Sequence, residues 1–212
     1  MFTGIVNGLF NVLEVQKLPG MIKYSIEFPE SLLNGLKIGA SVSVDGVCQT
    51  VVQIQGSSVW FDAIQETLEK TSLNDLHPGQ KVNIERAARF GDEIGGHVLS
   101  GHVYGKAQIS KITSWENNRK VTLNCHPQWI KYLFSKGYIA IDGASLTLVD
   151  VDSAGYFSVH LIPETIRMTT LGIKREGDWV NLEFDSQVQT IVETVERVLG
   201  NQGLSNSWKK SP

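Results

Sequence analysis

Short runs of alternating apolar and polar residues, interrupted by Gly and Pro, set the pattern of this chain. Ile5 to Val15 is apolar and β-branched, a turn follows at Leu18-Pro19-Gly20, and Ile22 to Phe28 alternates after it. Ala40 to Ile54 alternates about an Asp45-Gly46 turn, Val59 to Asp62 opens another run, and Lys81 to Glu85 follows Pro78-Gly79. Period-two runs bounded by turn residues predict strands, and many short strands at roughly ten-residue spacing predict a small antiparallel barrel or sandwich. Pro29 to Gly35 has room for a helical turn or two, and Glu66 to Leu73 reads as a short helix.

The pattern is then repeated. A shift of 97 positions lays Phe2-Thr3-Gly4-Ile5-Val6-Asn7-Gly8 on Leu99-Ser100-Gly101-His102-Val103-Tyr104-Gly105, and Val44 to Val52 on Ile141 to Val149. One more residue of offset lays Glu66-Thr67-Leu68 on Glu164-Thr165-Ile166, Thr71-Ser72-Leu73 on Thr169-Thr170-Leu171, and Gly79 to Asn83 on Gly177 to Asn181. Matches in one order at a near-constant offset indicate an internal duplication with one loop insertion. The expected architecture is all-β: two tandem barrels, 1–96 and 97–185, joined through Phe90 to Gly96. In the second half the expected runs are Tyr104 to Ile112, Lys120 to Asn124, a helix from Gln128 to Lys136, Tyr138 to Val151, Tyr156 to Leu161 and Trp179 to Phe184.

Only the end of the chain lacks a counterpart. Val188, Ile191, Val192, Val195, Val198 and Leu199 have helical spacing, which predicts a helix over 186–200 with Asp185 or Ser186 as N-cap and Gly200 as C-cap. Its apolar stripe calls for a partner, either the chain's own barrel or another copy. The polar stretch 201–212 is expected to be a frayed tail.

Composition narrows the function. With 19 Lys+Arg against 22 Asp+Glu the chain has no electrostatic footprint for nucleic acid or an anionic membrane. Cys48 and Cys125 are the only cysteines, far apart, which argues against disulfides and zinc and for reduced thiols. The start of the chain has no basic segment followed by an apolar one, and no run approaches the roughly 20 apolar residues of a membrane span. A cytoplasmic protein is expected.

Chemistry is concentrated in one repeated motif. Asp-Gly-x-Cys/Ser-x-Thr occurs at Asp45 to Thr50 and again at Asp142 to Thr147. On a strand Cys48 and Thr50 face the same way, as do Ser145 and Thr147, so each half offers a small thiol or hydroxyl beside a threonine hydroxyl. Such a pair can bond the edge of a polar heterocycle while aliphatic neighbours cover its faces. The bland reading is a buried small cysteine and a serine that completes a turn. Phosphate loops, a Gly-x-Ser-x-Gly elbow and zinc spacings are absent. His97 and His102, five apart, are expected on opposite faces of a strand, with His97, His77 and His126 as ordinary histidines.

Met1-Phe2-Thr3-Gly4-Ile5-Val6, Gly95 to Val103, Ile141 to Leu148 and His160-Leu161-Ile162-Pro163-Glu164-Thr165 together resemble the riboflavin synthase family over about residues 1 to 200. The resemblance implies two six-stranded Greek-key barrels, a C-terminal trimerisation helix and a homotrimer. It implies a dismutation without cofactor or metal, in which two molecules of 6,7-dimethyl-8-ribityllumazine exchange a four-carbon unit to give riboflavin and 5-amino-6-ribitylaminouracil. Association with lumazine synthase is a further expectation. The resemblance carries over a first socket of Gly4-Ile5-Val6, Cys48-Gln49-Thr50, Asp62-Ala63-Ile64-Gln65-Glu66-Thr67 and Gly101-His102-Val103. It carries over a second of Ser145-Leu146-Thr147 and His160 to Thr165, with Lys136 reaching a neighbouring chain's ligand.

By chemical type, His102 suits removal of a proton from the 7-methyl group. Cys48, Ser145 or Thr147 suits bonding the ring or supplying a nucleophile, and Phe2 with Thr3 is expected to cover the reacting rings. Asp45 stands where this family commonly has Asn. Gln49 stands where Leu is expected, and so would set a polar side chain beside the first socket. The rival reading is a lumazine protein, a fluorescent antenna that resembles the synthases but keeps one ligand site. Ser145, Thr147, His102 and Ile162 to Thr165, all retained here, favour the enzyme.

Overall fold

The computed structural model describes residues 1–201, and the remainder of the expected tail lies outside the described residues. β1 (Gly8–Leu18), β2 (Met21–Glu27), β3 (Ser41–Val44), β4 (Val47–Gln55), β5 (Ser58–Ile64) and β6 (Lys81–Arg86) close into an antiparallel barrel in the order β1-β2-β5-β4-β3-β6. β7 (Gly105–Ser114), β8 (Arg119–Asn124), β9 (Tyr138–Ile141), β10 (Ala144–Val151), β11 (Tyr156–Leu161) and β12 (Trp179–Phe184) close into a second in the corresponding order. Even the irregularities repeat. The first strand of each barrel shifts register between Val12 and Glu14 and between Ile109 and Lys111. The fourth shifts between Val51 and Gln53 and between Leu148 and Val151. Such bulges add the local twist that lets a small sheet close.

Each barrel has its own core. Val12, Tyr24, Ile26, Phe28, Val42, Val44, Phe61 and Ile84 fill the first, and Ile109, Val121, Leu123, Ile139, Ile141, Leu148, Phe157 and Leu182 fill the second. These are the inward members of the alternating runs, and each buried side chain of this size contributes about 1.5–3 kcal/mol over leaving it in water.

The helical pieces within the barrels are short. α1 (Glu30–Leu33) is one turn, and α2 (Gln65–Lys70) stops where Thr71 turns extended and its hydroxyl bonds the Thr67 carbonyl at 2.7 Å. α3 (Pro163–Met168) is the counterpart of α2. The helix expected over 128–136 is a 3-10 segment, Pro127–Tyr132, because Pro127 and a His126 cap define its start and Lys136 turns left-handed at φ 69° before Gly137. α4 (Ser186–Asn201) begins under an Asp185 cap that accepts the Gln187 and Val188 amides and runs past Gly200, which is not its C-cap. Val192 packs on the second core, Tyr132 donates to Glu193 at 3.0 Å, and Lys131 pairs with Glu196. Ile191, Val195, Val198 and Leu199 remain exposed. No described helix is long and apolar enough to cross a membrane.

The barrels meet through the two Asp-Gly turns. Asp45 and Asp142 take φ of 45° and 46°, and Gly46 and Gly143 take 82° and 80°, as two-residue hairpins require. The turns touch back to back: a Cβ on Gly46 would lie 2.6 Å from the Gly143 nitrogen. Two asparagines clasp the contact reciprocally. Asn83 donates its side-chain amide to the Asp142 carbonyl, and Asn181 donates its own to the Asp45 carbonyl, both at 2.8 Å. Their backbone amides donate to the carboxylates of Asp45 at 2.7 Å and Asp142 at 2.8 Å.

Candidate active site

Strand alternation decides which motif residues face outward. On β4 the side chains of Val47, Gln49 and Val51 are buried while Cys48 is half-buried and Thr50 exposed; on β10 Leu146 and Leu148 are buried while Ser145 is half-buried and Thr147 exposed. The contiguous socket segments therefore split. Ala63, Leu146 and Leu161 point into the cores, leaving Asp62, Ile64, Thr147, His160 and Ile162 outside. Gln49 is a clear correction: its side chain is in the first barrel, accepting from the Tyr24 hydroxyl at 3.2 Å and donating to the Cys48 carbonyl at 3.0 Å.

Against each outward face lies an arm, the irregular segment that leads into the first strand of a barrel. The arm of residues 100–103 crosses to β4, where the Gly101 carbonyl accepts the Cys48 amide at 2.8 Å. The arm of residues 3–6 crosses to β10, where the Gly4 carbonyl accepts the Ser145 amide at 2.9 Å. Gly4-Ile5-Val6 therefore lies against Ser145, not against Cys48, beside which the resemblance had set it. Both glycines are obligatory. They take φ of 76° and 80°, and a Cβ would stand 2.5 Å from that of Ser145 or 2.6 Å from that of Cys48.

The first groove is a cavity of about 330 Å³ lined by Cys48, Glu66, Thr67, Gly101, His102 and Val103. That volume is in the range of small-molecule sites. His102 is exposed at its rim, its backbone amide held by the Ser100 hydroxyl at 3.1 Å. Glu66 pairs with Lys70 at 2.6 Å, whose bond and charge hold its carboxyl below the usual range. Beside the second arm, where the corresponding groove would lie, Glu164 pairs with Arg167 at 2.6 Å to the same effect.

Phe2 is not an open cover. It is only 2% exposed, packed with Leu99 and Ala140 against Cys48, and its backbone pairs with that of Leu99 in both directions, joining the two arms. Lys136 is exposed beside the start of β9, and His160 is exposed with its ring stacked on Trp115 at 6.0 Å.

The outward face of β10 carries a pair that sequence reasoning passed over. His97 is on an irregular segment rather than a strand, buried, with Nδ1 2.6 Å from the Ser145 hydroxyl and its ring stacked on Tyr138 at 5.1 Å. Burial pushes its pKa below the ordinary histidine value, which favours the neutral ring. The adjacent Gly96 lets the segment approach: a Cβ there would be 2.7 Å from that of Ser145. Gly95-Gly96 was the available signal. No histidine bonds Cys48 among the described residues, so the duplicated sockets differ at the reactive position.

A family model described as the lumazine binding domain matches residues 3–87 and again 100–185. The riboflavin synthase of Escherichia coli (strain K12) is 48% identical over 200 residues, covering 94% of this chain and 93% of that protein. The chain belongs to the riboflavin synthase family. Riboflavin synthesis is the activity that this membership assigns, and the two matched segments are its tandem lumazine-binding domains. Among solved structures, LumP complexed with riboflavin superposes with a TM-score of 0.82 at 30% identity, covering 88% of this chain and all (100%) of that one. LumP complexed with 6,7-dimethyl-8-(1'-D-ribityl) lumazine gives 0.80 at 28% identity over the same shares, 88% and 100%. The two family-model matches take in both barrels.

Proposed function

We propose that the two grooves each hold one 6,7-dimethyl-8-ribityllumazine and that the chain dismutates the pair into riboflavin and 5-amino-6-ribitylaminouracil, without a cofactor. One four-carbon unit leaves the donor ring and enters the acceptor, so two sockets for one compound are what the reaction asks of the fold. The observation that carries the reading is the repeated placement of an arm glycine against Cys48 and Ser145. Cys48, Thr50, Asp62, Ile64, Glu66, Thr67 and His102 would bind in the first groove. Ile5, Val6, Ser145, Thr147, His160, Ile162, Glu164 and Thr165 would bind in the second.

The grooves are not chemically equivalent. The neutral His97, with its proton on Nε2, accepts the Ser145 hydroxyl proton at Nδ1 and serves as a base through it for the 7-methyl proton of the lumazine in the second groove. His102 and the Cys48 thiol face the lumazine in the first. Holding two rings in a reactive orientation is worth roughly 7–11 kcal/mol against their free encounter.

We further infer a homotrimer in which the first groove of one chain faces the second groove of its neighbour, with Lys136 reaching across. The exposed stripe Ile191, Val195, Val198 and Leu199 supports this. A cytoplasmic location and contact with lumazine synthase complete the proposal. Incubation of the purified protein with 6,7-dimethyl-8-ribityllumazine alone should yield one riboflavin for every two lumazines consumed. Saturable binding without turnover would defeat the proposal.

A further inference from the structure

Each arm is gripped by a carboxylate of the barrel opposite to the one whose groove it lines. Glu183 is a buried residue on β12, in the second barrel, and its carboxylate accepts the Ser100 amide and the Ser100 hydroxyl, each at 2.7 Å, and the Gly101 amide at 3.0 Å. The arm gripped in this way delivers its Gly101 carbonyl to Cys48, in the first barrel. Glu85 does the converse from β6 of the first barrel. It accepts the Thr3 amide at 2.6 Å, the Thr3 hydroxyl at 2.8 Å and the Gly4 amide at 3.1 Å, and that arm delivers the Gly4 carbonyl to Ser145 in the second.

Three donors converge on each carboxylate, and only a side chain with two acceptor oxygens and no hydrogen satisfies all of them. An amide in its place would turn an N–H toward the glycine N–H. The hydroxyls relay the grip forward: that of Ser100 accepts the His102 amide at 3.1 Å and that of Thr3 accepts the Ile5 amide at 3.3 Å. The carboxylates thus set the backbone of the residue that faces the ligand. Burial works against their charge and the three donors work for it, with a net rise in both carboxyl pKa values.

We propose that Glu85 and Glu183 are positioning residues that build each lumazine groove from the opposite barrel, so that a lesion in one barrel disables the groove of the other. The proposal rests on the groove assignment above. Its signature is a crossed phenotype, which ordinary local support does not produce.

Cys48 is a built-in reporter. Alkylation by iodoacetamide follows thiolate access, and burial pushes the Cys125 thiol up to about 11, so that residue stays silent. Riboflavin should protect Cys48 in the full-length protein. In E183Q the riboflavin concentration for half-protection should rise by on the order of tenfold, since a charge-assisted bond is lost; in E85Q, which reaches Cys48 only through Phe2, it should rise by clearly less. S100A removes only the hydroxyl and should shift half-protection in the same direction. S100T should restore it, because Thr3 shows that threonine fits the equivalent place; this pair decides the question if E183Q does not fold.

Equal shifts in E85Q and E183Q, or no shift in E183Q and S100A, would overturn the proposal. Absence of riboflavin protection in the wild type would refute the groove assignment instead. The brace is then judged by amide exchange, which should accelerate at Cys48 in E183Q and at Ser145 in E85Q. Exchange that accelerates in the mutated barrel's own motif would overturn the brace independently of any ligand.

Discussion

Nδ1 of His97 lies 2.6 Å from the Ser145 hydroxyl in a buried setting that lowers the imidazole pKa. A general base in such a position contributes about 10²–10⁴-fold to a rate. H97Q is therefore expected to lower kcat by at least about a hundredfold, with S145A following it. Because burial lowers the histidine pKa, the base form persists below 6.5, and the acid limb of kcat should fall below that pH. A limb at or above 6.5, or an H97Q enzyme with normal kcat, assigns the proton transfer elsewhere.

The contact between the barrels should make the protein more stable, not less, on mild acidification. Asp45 and Asp142 are fully buried, and Lys174, with Nζ 3.5 Å from Asp142, is the cation that acts on both. Burial raises both carboxyl pKa values above the ordinary 3.8. The folded state thus takes up protons before the unfolded chain does. The cost of the buried charge is fully present above the folded values and is relieved as pH falls through them toward 3.8. D45N retains an acceptor for the Asn83 amide and tolerates the left-handed turn. It should stabilise the protein at pH 7 by about 1 kcal/mol or more and flatten this dependence. Urea unfolding at pH 5 and pH 7 measures both, and a D45N protein less stable at pH 7 would mean that attraction to Lys174 outweighs burial.

The exposed apolar face of α4 separates assembly from folding. Ile191 and Val195 are exposed, whereas the helix is held to its own barrel by Val192, Glu193 and Glu196. I191D combined with V195D should leave the thermal midpoint of the barrels within a few degrees, and should convert a sedimenting trimer to a monomer with loss of turnover. A variant that remains trimeric, or a wild type that sediments as a monomer, would remove this helix from the assembly.

The duplication made most of the fold legible. Alternation about two Asp-Gly turns placed the strands, because a period of two is a local property of a pleated backbone, and it correctly set Cys48 and Thr50 on one face and Ser145 and Thr147 on one face; burial shows these faces to be the outer ones. The same alternation applied strictly would have turned Gln49 and Leu146 inward. Treating the socket segments as continuous hid this. Helix ends were less legible at 128–136, where a left-handed Lys136 interrupts a pattern that periodicity alone carries on.

What the sequence determined by itself is what repeats locally: twin barrels, their turns and the family. Tertiary structure alone decided which arm serves which barrel, since Gly4 and Ser145 are 141 residues apart and meet only because each arm crosses before its strand begins. It also decided that His97, ordinary in its local context, is the histidine on the Ser145 hydroxyl. A side chain's partners are set by where the backbone crosses itself, and the crossing is held here by buried carboxylates whose donors come from distant sequence.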